Sequence, residues 1–190
     1  MSGSSNVPQV NEPVADLEFA VQNNEDYQDL RQAWTALPRV PKLVNAATCP
    51  EILSSRGQSI RLVLKGEESA GALMVAYVTM EPGAAAAPNH NQPKEDEFWF
   101  CVKGTFDWTV RDKTERVGPG AFAYVPRGVN HAFQQVGDEP AVMFTVNTPA
   151  GHERGFVGLN RLAAENAGLD VLGKHLADHD FVFEKPFGTE

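Results

Sequence analysis

The sequence has few cysteines and few basic residues. Two cysteines, Cys49 and Cys101, in 190 residues are too few for a disulfide framework, so a hydrophobic core has to stabilise the fold. The sequence contains 16 Lys and Arg residues and 25 Asp and Glu residues, which gives a formal net charge of −9. Proteins that bind nucleic acid neutralise phosphates with Lys and Arg. We therefore expect neither nucleic acid nor an anionic membrane as a partner.

Long apolar runs are also missing. Residues Met1–Pro8 contain neither the basic nor the apolar part of a signal peptide. No stretch approaches the ~20 apolar residues that span a bilayer. We predict a cytoplasmic protein. Its apolar fraction of 42% is that of an ordinary globular domain.

The N-terminal part carries little that suggests a core. Residues 1–16 are polar and contain proline, so we predict a flexible tail. Residues 17–58 are predicted to hold one helix and a connecting segment. The helix is indicated by an apolar rhythm of three and four residues that ends before Pro38, formed by Tyr27, Leu30, Trp34 and Leu37.

Residues 59–149 alternate short apolar runs with turns, which predicts an all-β core, either a sandwich or a barrel. The runs are Ile60–Leu64, Ala72–Met80, Phe98–Val102, Thr105–Val110, Ala121–Val125 and Ala141–Asn147.

Residues 150–190 are predicted to form a C-terminal helical segment and a tail. Phe156, Leu159 and Leu162 share a helical face, and Gly168 is a natural stop. A shorter helix is expected around residues 171–177. The tail is expected to pack on the barrel or on a partner subunit through Phe181, Phe183 and Phe187.

Two of the five histidines stand beside strand-like segments. Side chains at positions i and i+2 of a strand share a face, so His90 and Gln92 can point into one cavity. Glu97 begins the next predicted strand, and His131 belongs to a third predicted strand that follows a turn. Two histidines and one carboxylate suit a divalent first-row metal with open coordination positions. We predict one such metal per chain, iron, manganese, nickel or zinc, held by His90, Glu97 and His131.

Other interpretations stay open at each of these positions. The two histidines could be ordinary strand residues satisfied by hydrogen bonds. Gln92 could be a weak fourth metal ligand, or it could hydrogen-bond a bound ligand. Trp99 shares a face with Glu97, and Phe133 shares one with His131. These two aromatic side chains either fill the core or line, with Gln92, an apolar substrate pocket beside the metal.

The remaining polar residues near these segments are predicted to face solvent. Glu95 and Asp96 are expected in a solvated turn, because alternation points Glu97 inward. His152, His175 and His179 lie outside the strand segments, and we predict a surface position for them.

The two histidine segments resemble the paired motifs of the cupin superfamily. The first motif is carried by Gly83, His90, Gln92, Glu97 and Gly104, and the second by Gly120, Pro126, Gly128 and His131. The resemblance implies a double-stranded β-helix, or jelly-roll barrel, with flanking N- and C-terminal helices. It also implies a metal near the barrel centre and, in many members, a homodimer. Residues 148–156 are similar to the segment after the barrel in quercetinase-like monocupins.

Two residues depart from the family pattern. Gln92 replaces the second histidine of the first motif, and Gln135 stands where asparagine is usual. An amide binds metal more weakly than an imidazole. The sequence therefore specifies the identity of the metal and the type of reaction less closely than it specifies the fold.

The resemblance implies a metal-dependent dioxygenase acting on a small apolar or aromatic molecule of enol or hydroxy-ketone type. Glu97 would then both bind the metal and accept a hydroxyl proton. The alternatives are a non-oxidative isomerase, lyase or cyclase on the same scaffold, or a non-catalytic cupin that binds a small ligand.

Overall fold

The computed structural model describes residues 39–85 and 87–185. The predicted tail, the predicted N-terminal helix and Phe187 lie outside these residues. Within them, the chain forms eleven strands, two α-helices and two short 3₁₀ turns, Ala46–Thr48 and Gly66–Ser69.

The strands are β1 (Glu51–Ser55), β2 (Gln58–Leu64), β3 (Met74–Met80), β4 (His90–Asn91), β5 (Asp96–Lys103), β6 (Thr105–Val110), β7 (Lys113–Val117), β8 (Phe122–Val125), β9 (His131–Val136), β10 (Ala141–Thr148) and β11 (Val182–Phe183). The helices are α1 (Glu153–Ala164) and α2 (Leu169–Ala177).

The strands form two antiparallel sheets, as predicted for a jelly roll. One sheet has the order β1-β2-β3-β10-β5-β8, and the other has the order β11-β4-β9-β6-β7. Alternate residues of β3 and β5 are buried, because one face of each strand looks into the space between the sheets. The largest side chains there include Trp99, Phe106, Met74 and Met143. Cys101 is also fully buried, as expected of a small apolar side chain.

The barrel begins earlier in the chain than the sequence pattern indicates. Strand β1 pairs with β2 from Glu51 onward, whereas the apolar pattern predicts strands only from residue 59. A tight turn joins the two strands, with positive φ angles of 51° at Arg56 and 81° at Gly57. Such angles at both central residues match the twist of a two-residue hairpin. The single Gly57 is a weak turn signal, which is why β1 is hard to predict.

The two C-terminal helices lie where the apolar rhythm places them. Helix α1 ends at Ala164 because Asn166 adopts a left-handed conformation, with φ of 57°. Gly168 is instead the residue that precedes α2. Helix α1 packs against β1 and α2. After α2 the chain returns to the barrel, where β11 pairs with β4, so this part of the tail packs on its own subunit. In the described part of the chain, no helix has the length and apolar character needed to cross a membrane.

Candidate functional site

The structure brings together the two predicted histidines and the predicted carboxylate. His90 on β4 lies directly opposite His131 on β9, and their ring centroids are 4.5 Å apart. Glu97 comes from β5 in the other sheet, and its Oε2 lies 3.2 Å from Nε2 of His131. The exposed fractions of His90, Glu97 and His131 are 7%, 5% and 1%. The three side chains therefore meet between the sheets, shielded from bulk water.

Backbone carbonyls set the orientation of both imidazoles. Nδ1 of His90 lies 2.6 Å from the carbonyl oxygen of Pro88, and Nδ1 of His131 lies 2.9 Å from that of Val129. A carbonyl oxygen only accepts hydrogen bonds, so Nδ1 is the donor in each ring. In a neutral ring, Nε2 is then left with a free lone pair, which is the form that binds metals.

Burial and the Glu97 charge determine the protonation of the three groups. Burial, assisted by the charge of His131, lowers the pKa of His90 to about 3. Burial alone would raise the pKa of Glu97, but the adjacent His131 lowers it to about 2. For His131, burial would lower the pKa, and the Glu97 carboxylate reverses this and raises it. At neutral pH His90 is therefore neutral and Glu97 is ionised.

Several buried polar atoms have no hydrogen-bond partner among the described residues. They include Nε2 of Gln92 and both amide atoms of Asn147. Asn147 is fully buried and lies directly opposite Glu97 in the pairing of β10 with β5. Buried polar atoms are nearly always satisfied by protein, water or a bound group. This cluster therefore has the character of a binding site.

Asn147 was missed by the sequence reasoning. The available signal was the alternation along β10, in which Asn147 falls on the same inward face as Thr145 and Met143.

The donor set fits a divalent metal chemically. Imidazole nitrogens and a carboxylate are donor types that first-row divalent ions bind, and Nε2 of His131 lies 3.2 Å from Oε2 of Glu97. Across residues 39–85 and 87–185, no three His, Cys, Asp or Glu side chains are already gathered into a complete metal-ligating group. His90, His131 and Glu97 are nevertheless the side chains that could hold a metal here.

A cavity of about 170 Å³ is lined in part by His90 and Glu97. The rest of its wall is mostly apolar, and its polar lining residues are Ser55, Arg56, Gln58, His90, Glu97, Thr145 and His152. The apolar residues come from both sheets, from α1 and α2 and from the C-terminal segment, and they include Ile60, Val78, Phe133, Phe156, Leu159, Leu172, Leu176 and Phe181. The architecture thus joins an apolar chamber to the His and Glu cluster.

The predicted pocket residues occupy different positions relative to this cavity. Phe133 lies on its wall, whereas Trp99 and Gln92 do not. Trp99 is fully buried in the core, with its ring centroid 5.4 Å from that of His131 and 5.4 Å from that of Phe133. It supports these two side chains from behind. Gln92 is buried next to the strand end that carries His90.

The predicted surface position of His152 is wrong. It is only 3% exposed, and its ring stacks on Phe181 with centroids 4.4 Å apart. Burial lowers its pKa to about 4, so it is neutral at physiological pH. His175 and His179 are half-buried and do not line this cavity.

The segment before Glu97 is also more ordered than a solvated turn. Glu95 is buried, which raises its pKa. Asp96 accepts hydrogen bonds from the backbone N–H and the guanidinium of Arg127 at 2.9 to 3.0 Å. These bonds tie the start of β5 to the loop before β9, and so they position Glu97 relative to His131.

Residues 76–147 match the family model described as the cupin domain. An uncharacterized protein of Streptomyces coelicolor is 34% identical over 55 residues, which are 29% of this chain and 52% of that relative. The match thus spans about half the length of the curated relative.

Solved structures of similar fold include KdgF from a Halomonas species, with a TM-score of 0.51 and 16% identity over 58% of this chain and 94% of that one. An RmlC-like cupin from Shewanella frigidimarina has a TM-score of 0.50 and 15% identity over 60% of this chain and 96% of that one. A protein from Thermotoga maritima described as a predicted oxalate decarboxylase has a TM-score of 0.51 and 16% identity, over 57% and 99%. These findings support the cupin jelly-roll fold. The finer resemblance to quercetinase-like monocupins stays a prediction.

Proposed function

We propose that this chain is a metal-dependent cupin enzyme, and specifically a dioxygenase that acts on a small apolar or aromatic molecule. The observation that carries the proposal is the position of His90 and Glu97 on the wall of a largely apolar cavity. Both imidazoles of the site direct Nδ1 to a carbonyl, which leaves Nε2 of each neutral ring available as a ligand atom. Such a set binds a metal and leaves positions open.

The proposed roles follow from the chemistry of each side chain. His90, His131 and Glu97 would hold one divalent ion (iron, manganese, nickel or zinc), and Gln92 would contribute a weak ligand or a hydrogen bond. A bound ion of this kind supplies electrophilic polarisation of a substrate oxygen. Glu97 is ionised, so it can accept a proton from a substrate hydroxyl of enol or hydroxy-ketone type. Phe133 and the other apolar walls would hold the ring and exclude water.

The first experiment measures the metal content of the protein and its ability to rebind a metal. The natively purified protein is analysed for elemental content and then reconstituted with each of the four ions. We expect about one ion per chain, with loss of binding in His90→Ala and His131→Ala and retention in His179→Ala, which alters a histidine outside the cavity. Wild-type protein that neither retains nor rebinds a metal would indicate a non-catalytic ligand-binding cupin instead.

The second experiment measures the consumption of oxygen during the reaction. Reconstituted protein is supplied with a panel of aromatic hydroxy-ketones, and oxygen uptake and product formation are followed together. We expect the amount of oxygen consumed to equal the amount of product formed. Product formation that persists without oxygen would contradict the dioxygenase and favour an isomerase, lyase or cyclase.

We also propose a homodimer, formed through the outer face of the six-stranded sheet. Phe122 and Tyr124 on the edge strand β8 are 63% and 50% exposed, and Phe100 on β5 is 45% exposed. An apolar patch of this kind is typical of protein interfaces. Light scattering should give twice the chain mass for the wild type and the single chain mass for Phe122→Lys.

A further inference from the structure

Buried beside the cavity is an imidazole that the proposed metal chemistry does not use. His152 precedes helix α1 and lies on the cavity wall. Nδ1 of His152 has no hydrogen-bond partner in the described part of the chain. A wall built only to be apolar would carry a leucine or phenylalanine here, because an unpartnered buried polar group is costly.

The orientation of this imidazole is set by aromatic neighbours. Its ring stacks on Phe181 at 4.4 Å and meets the edge of Phe156 at 4.8 Å, centroid to centroid. Gly155 allows this packing, because a Cβ at that position would lie 2.7 Å from the Phe181 ring. The ring is therefore held in place before any ligand arrives, which reduces the entropic cost of binding.

The charges around His152 restrict the ligand that it can bind. The groups that act on it electrostatically are Glu97, His131 and Glu153. A neutral imidazole offers one donor and one acceptor, which suits a hydroxyl or carbonyl oxygen. The cavity wall carries one ionised carboxylate, Glu97, and one guanidinium, Arg56. A ligand without net charge suits this balance.

The cavity also limits ligand size. Its volume is about 170 Å³, and an apolar protein cavity of about 150 Å³ holds one benzene molecule. A single six-membered ring with a small substituent therefore fills the enclosed part of the chamber.

We propose that His152 is a substrate-binding residue that hydrogen-bonds the hydroxyl or carbonyl oxygen of an uncharged, single-ring ligand packed against Phe156 and Phe181. This inference rests on the proposed function in taking the cavity as the substrate site. It adds a specificity residue that lies outside the two strand motifs.

The test uses metal-free protein prepared with EDTA, so that the result does not depend on metal binding. Two probes of equal ring size, 4-fluorophenol and fluorobenzene, are titrated by fluorine NMR. We expect the wild type to bind the phenol about tenfold more tightly than fluorobenzene, which corresponds to one net hydrogen bond. In His152→Leu this preference should disappear, while the affinity for fluorobenzene stays within about twofold.

Two further variants complete the test. His152→Asn keeps a donor and an acceptor near the position of Nδ1 and should retain part of the preference. His179→Leu, outside the cavity, should retain all of it. The inference is overturned if His152→Leu keeps the wild-type preference, or if folded wild-type protein binds neither probe. Metal analysis of the same His152→Leu protein separates the two proposals, because its metal content reports only on the metal site.

Discussion

Nε2 of His131 lies 3.2 Å from Oε2 of Glu97, and this contact links the two sheets of the barrel. Neither group would keep its charge easily at this depth without the other, because burial opposes the charged form of each. The pair therefore determines the protonation of the site.

Glu97→Gln tests this dependence in the metal-free protein. The variant keeps the size of the side chain but removes its charge, so burial acts on His131 without opposition. We expect the pKa of His131 to fall from its raised value to below the ordinary imidazole value of 6.5. Long-range nitrogen NMR of the imidazole rings measures this pKa. Glu95→Gln is the matched control and should leave it unchanged; an unaltered His131 pKa in Glu97→Gln would contradict the pairing.

Metal affinity should depend on pH through a single proton. His90 stays neutral down to about pH 3 and Glu97 stays ionised down to about pH 2, so only His131 has to lose a proton to bind a metal. As the pH falls below the raised pKa of His131, affinity should fall about tenfold per pH unit. Calorimetric titration with Zn²⁺ between roughly pH 5 and pH 7 gives this slope. A fall of about a hundredfold per unit would mean that two groups release protons.

Gln92→His should strengthen metal binding. An imidazole is a better ligand than an amide oxygen for first-row divalent ions, and among the described residues the Gln92 amide nitrogen has no partner that the change would leave unpaired. We expect the dissociation constant for Zn²⁺ to fall by about tenfold or more. Gln134→His, on β9 but hydrogen-bonded to Ala84, is the control. Equal affinity in Gln92→His and wild type would place residue 92 outside the metal's reach.

Arg127→Ala should destabilise the fold in a pH-dependent way. The Arg127 guanidinium lowers the pKa of Asp96 below its ordinary 3.8, so the pair stabilises the protein above that pH and loses its effect as the pH falls through the folded-state pKa. Because the Arg127 side chain is about half exposed, we expect a loss of about 0.5–1 kcal/mol in the free energy of unfolding near pH 7. Urea unfolding near pH 7 and near pH 3 measures both values. Lys113→Ala, which breaks an exposed ion pair with Glu115, should change stability less; a deficit of equal size at both pH values would exclude the charge effect.

Gly104→Ala and Gly128→Ala should differ sharply in their effect on stability. Both glycines have positive φ, 73° and 76°, which costs a residue with a Cβ about 1–2 kcal/mol. At Gly104 the new Cβ would also lie 2.6 Å from Cα of Ala141, whereas at Gly128 no atom of residues 39–85 and 87–185 lies within 4 Å of it. We expect Gly104→Ala to lose about 2 kcal/mol more than Gly128→Ala in urea unfolding. Equal losses would show that backbone conformation alone requires glycine at position 104.

Strands with a buried face and strict alternation are the ones that the sequence pattern predicts. Strands with strict alternation, such as β3 and β5, lie where the apolar pattern places them, because one face of each packs on the core. Strand β7 shows almost no burial, so no apolar pattern could indicate it. Strand β11 has two residues, and only its pairing with β4 defines it.

The metal-ligating candidates could be found from sequence because strand periodicity and turn positions place them on inward faces. His152 and Asn147 could not be identified in the same way. His152 reaches the cavity only because α1 packs over the barrel and Phe181 returns beside it. Asn147 faces Glu97 only through the register of β10 with β5.

The sequence by itself determined the class of the fold and the donor atoms, since side-chain alternation and ligand chemistry are local properties of the chain. Only the tertiary structure decided which groups share one site. The 3.2 Å contact between His131 and Glu97 joins strands from different sheets, and the cavity walls come from both sheets, two helices and the C-terminal segment. Distances across the barrel depend on packing between residues far apart in the chain, and no local pattern encodes them.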